Sequence, residues 1–439
     1  MEYLIRLSQS HETFRIAEIE ALAILENIDI EVLSYSPESP FCIVKLSSEE
    51  AAVRLVKRSV LAKAIYEIWG QGKTYEATYE STKKLSHHLW PKFQDSSFKF
   101  SFDAFQTTRT LSEQRQIINS FSFLNFKGPI KMKGADQEFC ILEQWNLHPE
   151  ISNSKEPEMI YLGRHLGNGD RDSLQKYDLK KRNYICTTSM DAELALITAN
   201  ITLAGPGKIF YDPFVGSGSF PVACAHYGAF AFGSDIDGRS IRGKYDKSLR
   251  SNFIQYSLES HFGDTFVADL TNNPLRKARL FDGIVCDPPY GVREGLKVLG
   301  SRDPNKGKEP VIRNGQAHHT MESYIPPKRP YGFLDILDDL LEFAAIFLVE
   351  NGRLSFWMPM ANDDNQEVKI PHHPHLQIVS ICTQSFSKWS RRLITYRRIE
   401  ISESIDTVHE RKQREKGKNA DDLNPFRKEY FQGFRATGT

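Results

Sequence analysis

Four acids in this chain share one setting: each closes a run of residues with strand character. They are Asp212 in "KIFYD", Asp235 in "AFAFGSD", Asp269 in "TFVAD" and Asp287 in "FDGIVCD". Taken singly, each could be a turn residue, since Asp favours turns by bonding its own backbone. Taken together they form a row of acceptors along one sheet edge, which turn chemistry explains poorly.

The residues around the acids narrow the chemistry. After Asp212 the stretch "YDPFVGSGSF" has Gly216 and Gly218, which let the backbone turn sharply and lie close to a ligand. The spacing is G-x-G-x-x-P, with Pro221 where a dinucleotide fingerprint has its third glycine. A carboxylate beside the turn repels a pyrophosphate and suits an amino group such as that of a methionine moiety. A tight turn with no ligand is the plainer alternative. Asp235 lies nineteen residues after Gly216, where an acid accepts from ribose hydroxyls, and Ile236 would lie beside an adenine face. Asp237 before Gly238 either caps a helix or joins the site. Asp269 is placed to accept from the exocyclic amine of adenine.

Asp287 opens the tetrad Asp287-Pro288-Pro289-Tyr290. An amine on a base is a poor nucleophile because its lone pair is delocalised into the ring. Two acceptors, the Asp287 carboxylate and the Pro288 carbonyl, can localise that lone pair toward an electrophilic methyl, with the two prolines holding the carbonyl rigid. Tyr290 would stack on the flat ring. A proline-rich turn after a buried strand is the other reading of the tetrad alone.

The elements that must hold these residues alternate. A helix "SMDAELALITANI" precedes strand, glycine turn, the helix-like "SFPVACAHYG" and the next strand; then come helix "GRSIRGKYDKSLRSNFIQY", two strands, helix "FLDILDDLLEFAAIFLV" and strand "RLSFWMP". Such alternation predicts a mostly parallel sheet covered on both faces. Upstream, strand, helix and strand recur in "YLIRL", "FRIAEIEALAILENI" and "FCIVKL", followed by a helix over 47–65 opened by the capping serines Ser47 and Ser48. Strand "SFKFSFDAF", helix "TLSEQRQIINSFSFL" and strands "PIKMKG" and "EFCILEQWNL" make a second set, so two small α+β units are expected before about residue 150. The expected divisions are 1–152 for this region, 153–182 for a linker, 183–405 for the α/β domain and 406–439 for a polar tail, in which "NPFRKEYFQGF" has aromatics enough to dock. Residues 291–330, with eight Lys/Arg against four Asp/Glu, read as a long loop at the ligand end of the sheet.

Composition excludes several classes. At 439 residues, 40% hydrophobic, with Lys+Arg and Asp+Glu at 56 each, the chain has ordinary globular make-up and no whole-chain field to name a polyanion partner. Six scattered cysteines without a C-x-x-C pair read as reduced core residues. No leader pattern or membrane-length apolar run is seen, so a cytoplasmic protein without a membrane role is expected. His372, His373 and His375 in "PHHPHLQ" lack companions at ligand spacing, and no metal is expected. "KWSRRLITYRR" could reach RNA phosphates or form a solvated sheet edge.

The order of glycine turn, acid, acid and D-P-P-Y resembles the amino-methyltransferases that use S-adenosylmethionine, whose fourth motif is (D/N/S)-P-P-(Y/F/W). "TTSMDAELALITAN", "YDPFVGSGSF", "GSDIDGR" and "CDPPYGVRE" are more closely similar to catalytic chains of the eukaryotic tRNA guanosine-10 N2-methyltransferase family. The resemblance implies a Rossmann-like class I methyltransferase domain behind an N-terminal ferredoxin-like unit and THUMP domain that binds tRNA. It implies that Asp212, Phe214, Gly216 and Gly218 hold the methionine part of the donor, Asp235 the ribose, and Ile236 and Asp269 the adenine. Thr188 and Ser189 would close over the donor, and Asp287, Pro288, Pro289 and Tyr290 would receive the guanine. A small zinc-binding activator protein is implied as a partner. G-S-G stands where many relatives have G-T-G, a change between two small hydroxyls. Because the tetrad recognises an amine and not one base, adenine N6 or a glutamine side chain stays open as the target, as does a non-catalytic RNA-binding scaffold that keeps the fold.

Overall fold

The first half of the chain is organised by one strand that joins two groups of strands into a single sheet. In this computed structural model, residues 1–105, 107–145, 156–292, 295–300, 311–313, 315–321, 324, 326–361, 370–400 and 423–432 are described. They divide into two compact units, Met1–Ser173 and Leu174–Thr439. The expected boundary at 152/153 and most of the polar tail lie outside the described residues.

In the first unit the strands are β1 (Glu2–Leu7), β2 (Glu31–Tyr35), β3 (Phe41–Lys45), β4 (Ala62–Gly72), β5 (Phe98–Phe105), β6 (Gln137–Gln144) and β7 (Met159–Asn168), ordered β2-β3-β1-β4-β7-β6-β5. Only β5 and β6 run parallel. The two expected α+β sets share one sheet, because β4 pairs with β1 on one side and β7 on the other. The helix expected over 47–65 is corrected. It runs only Glu49–Val56, with the Ser48 hydroxyl accepting from Ala51 N. Beyond it the backbone bonds elsewhere: the Glu18 carboxylate accepts from Val60 N and Leu61 N, and Ser59 Oγ from Ala62 N. Apolar spacing in "SVLAKAIYEIW" fits a helix and a buried strand equally, and pairing decides for the strand. The segment expected as linker contains β7. Its glycines hide it from a propensity reading, yet a Cβ at Gly163 would sit 2.7 Å from the Tyr66 Cβ across the ladder. "PIKMKG" makes only an isolated bridge, Phe98 to Ile130.

In the second unit β8 (Ile209–Asp212), β9 (Phe230–Asp235), β10 (Phe262–Val267) and β11 (Phe281–Cys286) are followed by two short antiparallel strand pairs. These are built from β12 (Lys297–Leu299), β13 (Ile312–Arg313), β14 (Gln316–Ala317) and β15 (Lys328–Pro330), β12 pairing β15 and β13 pairing β14. Within 291–330, where a loop was expected, the described residues include these four short strands. Then come β16 (Leu348–Ala361), β17 (Leu376–Ser385) and β18 (Trp389–Arg398). The main sheet reads β10-β9-β8-β11-β16-β18-β17, parallel through β16 and antiparallel after it. Strand order reverses at β8, where β9 lies to one side and β11 to the other, the switch point at which such sheets bind ligands.

Helix Phe333–Phe347 buries Leu337, Leu340 and Phe347 against Tyr211, Ile284 and Phe356 of the sheet. Tyr211 stacks on Phe281 at 4.7 Å and donates to Ser234 Oγ, tying β8 to β11 and β9. The helix expected over 238–256 is broken in two, Gly238–Arg242 and Leu249–Gln255. Gly243 at φ 68 ends the first piece, where a Cβ would lie 2.0 Å from Lys247 O. Strand β18 is internal, between β16 and β17, with Leu393, Ile394 and Tyr396 buried, so the solvated-edge reading of "KWSRRLITYRR" is corrected.

Candidate active site

Three of the four acids meet at the switch point. Asp212, Asp235 and Asp287 end or directly follow β8, β9 and β11, which are neighbours, and the charges of Asp235 and Asp287 act on Asp212. Asp212 is buried, its carboxylate accepting from Phe214 N at 2.9 Å as the chain enters the glycine turn. Burial first, and then the charges of Asp235 and Asp287, raise its pKa well above the usual carboxylate range.

The turn itself is held from beneath. Gly216 (φ 49) and Gly218 (φ 84) take left-handed backbone that L side chains rarely adopt. A Cβ at Gly218 would meet Leu249 Cγ at 2.9 Å, whereas one at Gly216 would meet nothing nearer than 3.9 Å, so the turn is packed below and open above. Asp235 Oδ2 accepts from Gly216 N at 3.0 Å and Oδ1 from Asp237 N at 2.8 Å, so one carboxylate fixes both loops. Its pKa is raised by burial, against the lowering pull of those bonds. Pro221 sits in the first turn of helix Ser219–His226, where a missing N–H leaves no bond unmade.

Ser189 shares a 2.6 Å hydrogen bond with Ser217 Oγ in the glycine turn, and its Oγ accepts from Cys186 N. Thr188 is exposed beside it. The following helix starts at Ala192 under an Asp191 cap. Ile236 is half-buried, and its carbonyl accepts from Lys328 Nζ at 2.8 Å. Asp237 accepts from Arg239 N as the cap of a short helix, in keeping with the bland reading of it.

Asp269 carries bonds that its sequence setting does not announce. It lies two residues beyond the end of β10, and its carboxylate has partners within the chain: Thr271 N and Oγ1 on Oδ1, and Leu299 N on Oδ2 at 2.6 Å. Its described role is to pin β12, and sequence spacing alone could not reveal that bond thirty residues away.

Asp287 differs from all of these. Its Oδ1 is buried and has no hydrogen-bond partner among the described residues, and the same holds for the Tyr290 hydroxyl. Burial pushes the Asp287 pKa up to about 6; the Tyr290 hydroxyl, near the carboxylate but outside hydrogen-bond geometry, and the Arg391 charge pull it back. An orphaned buried acceptor is rare and marks strain, a missing partner or chemistry. Pro288 is buried and Pro289 half-buried, and Tyr290 packs partly on the domain core. Arg391, from β18, lies over the Trp357 ring at 4.7 Å and donates to Gln384 Oε1. Sequence reading offered Arg391 only within "KWSRRLITYRR", as an RNA contact or a sheet edge, and did not single out Lys328, since both arrive from distant strands.

The arrangement fits a donor with an ammonium, a diol and a sulfonium. A buried acid stands at the glycine turn, the turn is open above, and a second acid stands at the next strand. An acceptor without a partner follows where a nucleophilic amine would be held. Among the described residues no group of three or more His, Cys, Asp or Glu could hold a metal; His373 instead bonds Glu342 at 3.2 Å.

Residues 1–171 match the family model Tmrp11 THUMP N-terminal domain, and residues 180–299 match the RMKL-like methyltransferase domain. The tRNA (guanine(10)-N(2))-methyltransferase of Saccharomyces cerevisiae is 44% identical over 90% of this chain and 92% of its own length. That of Schizosaccharomyces pombe is 38% identical over 90% and 89%, and that of Homo sapiens 37% over 92% and 89%. Among solved structures, TrmN from Thermus thermophilus aligns over 91% of this chain and 100% of its own, at 15% identity and a TM-score of 0.43.

Proposed function

This chain belongs to the tRNA (guanine(10)-N(2))-methyltransferase family, and we propose how its residues divide the work of moving a methyl from S-adenosylmethionine to N2 of guanosine 10 in tRNA. The observation behind the assignment is the buried Asp287 Oδ1, partnerless at the mouth of the switch point and followed by two prolines.

Bound S-adenosylmethionine supplies an electrophilic methyl on sulfur. Asp212 and the Gly216–Gly218 turn would hold its amino-acid end, Phe214 and Ser189 flanking it. Asp235 would accept from the ribose while its other bonds keep the turn in place, and Ile236 would lie against the adenine. Asp269 supports that floor through β12 and Thr271. Thr188 would close over the donor from the segment before helix Ala192–Ile201.

On the acceptor side the guanine, turned out of its stack, would lie on Tyr290. Asp287 and the Pro288 carbonyl would each accept from one N–H of the exocyclic amine. That localises the nitrogen lone pair and orients it at the methyl, and it partly offsets the positive charge that grows on nitrogen. The forming bond is N–C, the breaking bond is S–C, and the extra proton leaves N2 after transfer. Asp287, ionised above a pKa of about 6, is placed to receive it.

We assign the first unit to RNA binding and the second to catalysis. A small activator partner is proposed on the free side of β10, the sheet's edge among the described strands, near which Phe230, Ile254 and Val267 are exposed. No helix among the described residues is long and apolar enough to cross a membrane, and a cytoplasmic site of action is proposed. Incubating the full chain, purified from its own host, with S-adenosylmethionine and unmodified tRNA tests the reading. N2-methylguanosine at position 10 is the expected product; N6-methyladenosine, or no methylated nucleoside, would overturn it.

A further inference from the structure

Beyond the acids and the tetrad, a distant piece of chain is fastened to the tetrad's exit. Helix Pro425–Gln432 comes from the C-terminal stretch that composition marked as polar tail. The residue before it, Asn424, is buried, and its Nδ2 donates to Tyr290 O at 2.6 Å. The next carbonyl, Gly291 O, accepts from Arg427 Nη1. Gly291 has φ 75, and a Cβ there would lie 2.6 Å from Asn424 Nδ2, so the turn after the tetrad needs glycine for conformation and for the approach of this side chain.

The clamp is itself anchored. Asn424 Oδ1 accepts from Arg427 N, as a helix cap does, so one amide faces both its own helix and the tetrad. Leu423 O accepts from Phe333 N at the start of helix Phe333–Phe347. Phe426 is buried with its ring 5.8 Å from that of Trp389, and the Arg427 guanidinium lies over Phe431 at 4.7 Å.

We propose that Asn424, with Arg427, is a positioning residue for methyl transfer. Prolines restrict Pro288 and Pro289 from within the chain, but the peptides of Tyr290 and Gly291 are free to pivot unless something holds their carbonyls. The clamp holds two in succession, and so fixes the plane of the Tyr290 ring and the aim of the Pro288 carbonyl. This inference rests on the catalytic reading of the tetrad. Since a small misplacement of reacting groups costs far more in rate than in binding, the clamp acts on kcat.

Asn424→Asp separates this role from folding. A carboxylate still caps the helix through Oδ1 but puts an acceptor, not a donor, against Tyr290 O. In the full chain the expected result is a fall in kcat of roughly tenfold or more, with KM for tRNA and for S-adenosylmethionine changed by less than about threefold. Hydrogen exchange read by mass spectrometry should rise at Tyr290 to Val292 while the amides of helix Pro425–Gln432 keep their protection. Wild-type kcat and unchanged exchange in Asn424→Asp would overturn the clamp and leave the methyltransferase reading intact. Loss of protection in the helix as well would show that Asn424 acts only as a cap, which also overturns it. If wild type made no N2-methylguanosine the catalytic reading would fail, and the exchange at 290–292 would still decide whether the clamp holds the turn.

Discussion

The first unit and the strand ends at Asp212 and Asp287 in the second treat buried charge in opposite ways. In the first, buried acids have partners on every side. Glu18 accepts from Ser59 Oγ, Val60 N and Leu61 N; Glu143 takes two bonds from Arg109 and one each from Tyr75 and Trp145; Glu67 accepts from Arg164 and Trp69. In the second, Asp212 and Asp287 are in no ion pair among the described residues, and burial raises both pKa values. A satisfied acid fixes architecture, because its removal strands its partners. An acid left short of partners keeps acceptor capacity for something that is not part of the chain.

The sharpest way to break this contrast is at Asp287. Asp287→Ala should lower kcat by about 10²–10⁴-fold, the range for removing one preorganised group at a reacting centre, with S-adenosylmethionine affinity within a few-fold by calorimetry. Loss of donor binding together with kcat would mean that the site had collapsed. Next comes the architectural acid. Glu143→Ala leaves the Arg109 guanidinium, the Tyr75 hydroxyl and the Trp145 indole without their shared acceptor, and should cost about 3 kcal/mol in denaturant unfolding of the first unit. Its methyl transfer to tRNA should drop through that unfolding alone. An unchanged midpoint would deny that the network is structural.

A smaller effect has the opposite sign in the second unit. The Asp287 pKa is raised from 3.8 to about 6 in the fold, so its contribution favours the folded state below pH 3.8 and is lost as pH rises toward 6. At neutral pH it is a cost. Asp287→Asn cannot ionise and should be more stable than wild type at neutral pH, on the order of 1 kcal/mol, with the advantage shrinking as pH falls from about 6 to 3.8 and gone below it. A less stable variant at neutral pH would mean that the Arg391 charge outweighs the cost of burying the carboxylate.

How much of this was legible in the sequence follows from how each feature is encoded. Asp212, Asp235 and Asp287 could be read because a strand end, a glycine turn and a proline pair are local signals. The Asp269 bond to Leu299 N could not be read, because strand pairing thirty residues later sets it. The clamp was invisible for the same reason, since Asn424 and Tyr290 are joined only by folding; the aromatics of "NPFRKEYFQGF" hinted at docking but not at where. In the first unit β2 was overlooked, because four of its five residues face solvent and lack the alternation that marks a strand. The helix over 47–65 overran because one apolar tract satisfies both periods; Glu18 and Ser59 accept from the amides of 60–62 that would continue the helix, and pairing with β1 and β7 selects the strand.

The claim at the centre is that an ionised Asp287 holds the amine for attack. Single-turnover methyl transfer to guanosine 10, measured in the full chain from about pH 8 down to about pH 5, tests it most directly. The account predicts a rate that is level above about 6.5 and falls toward tenfold per unit below the Asp287 pKa of about 6, with bound donor unchanged. A rate that stays level to the bottom of that range, with N2-methylguanosine still formed, would contradict it.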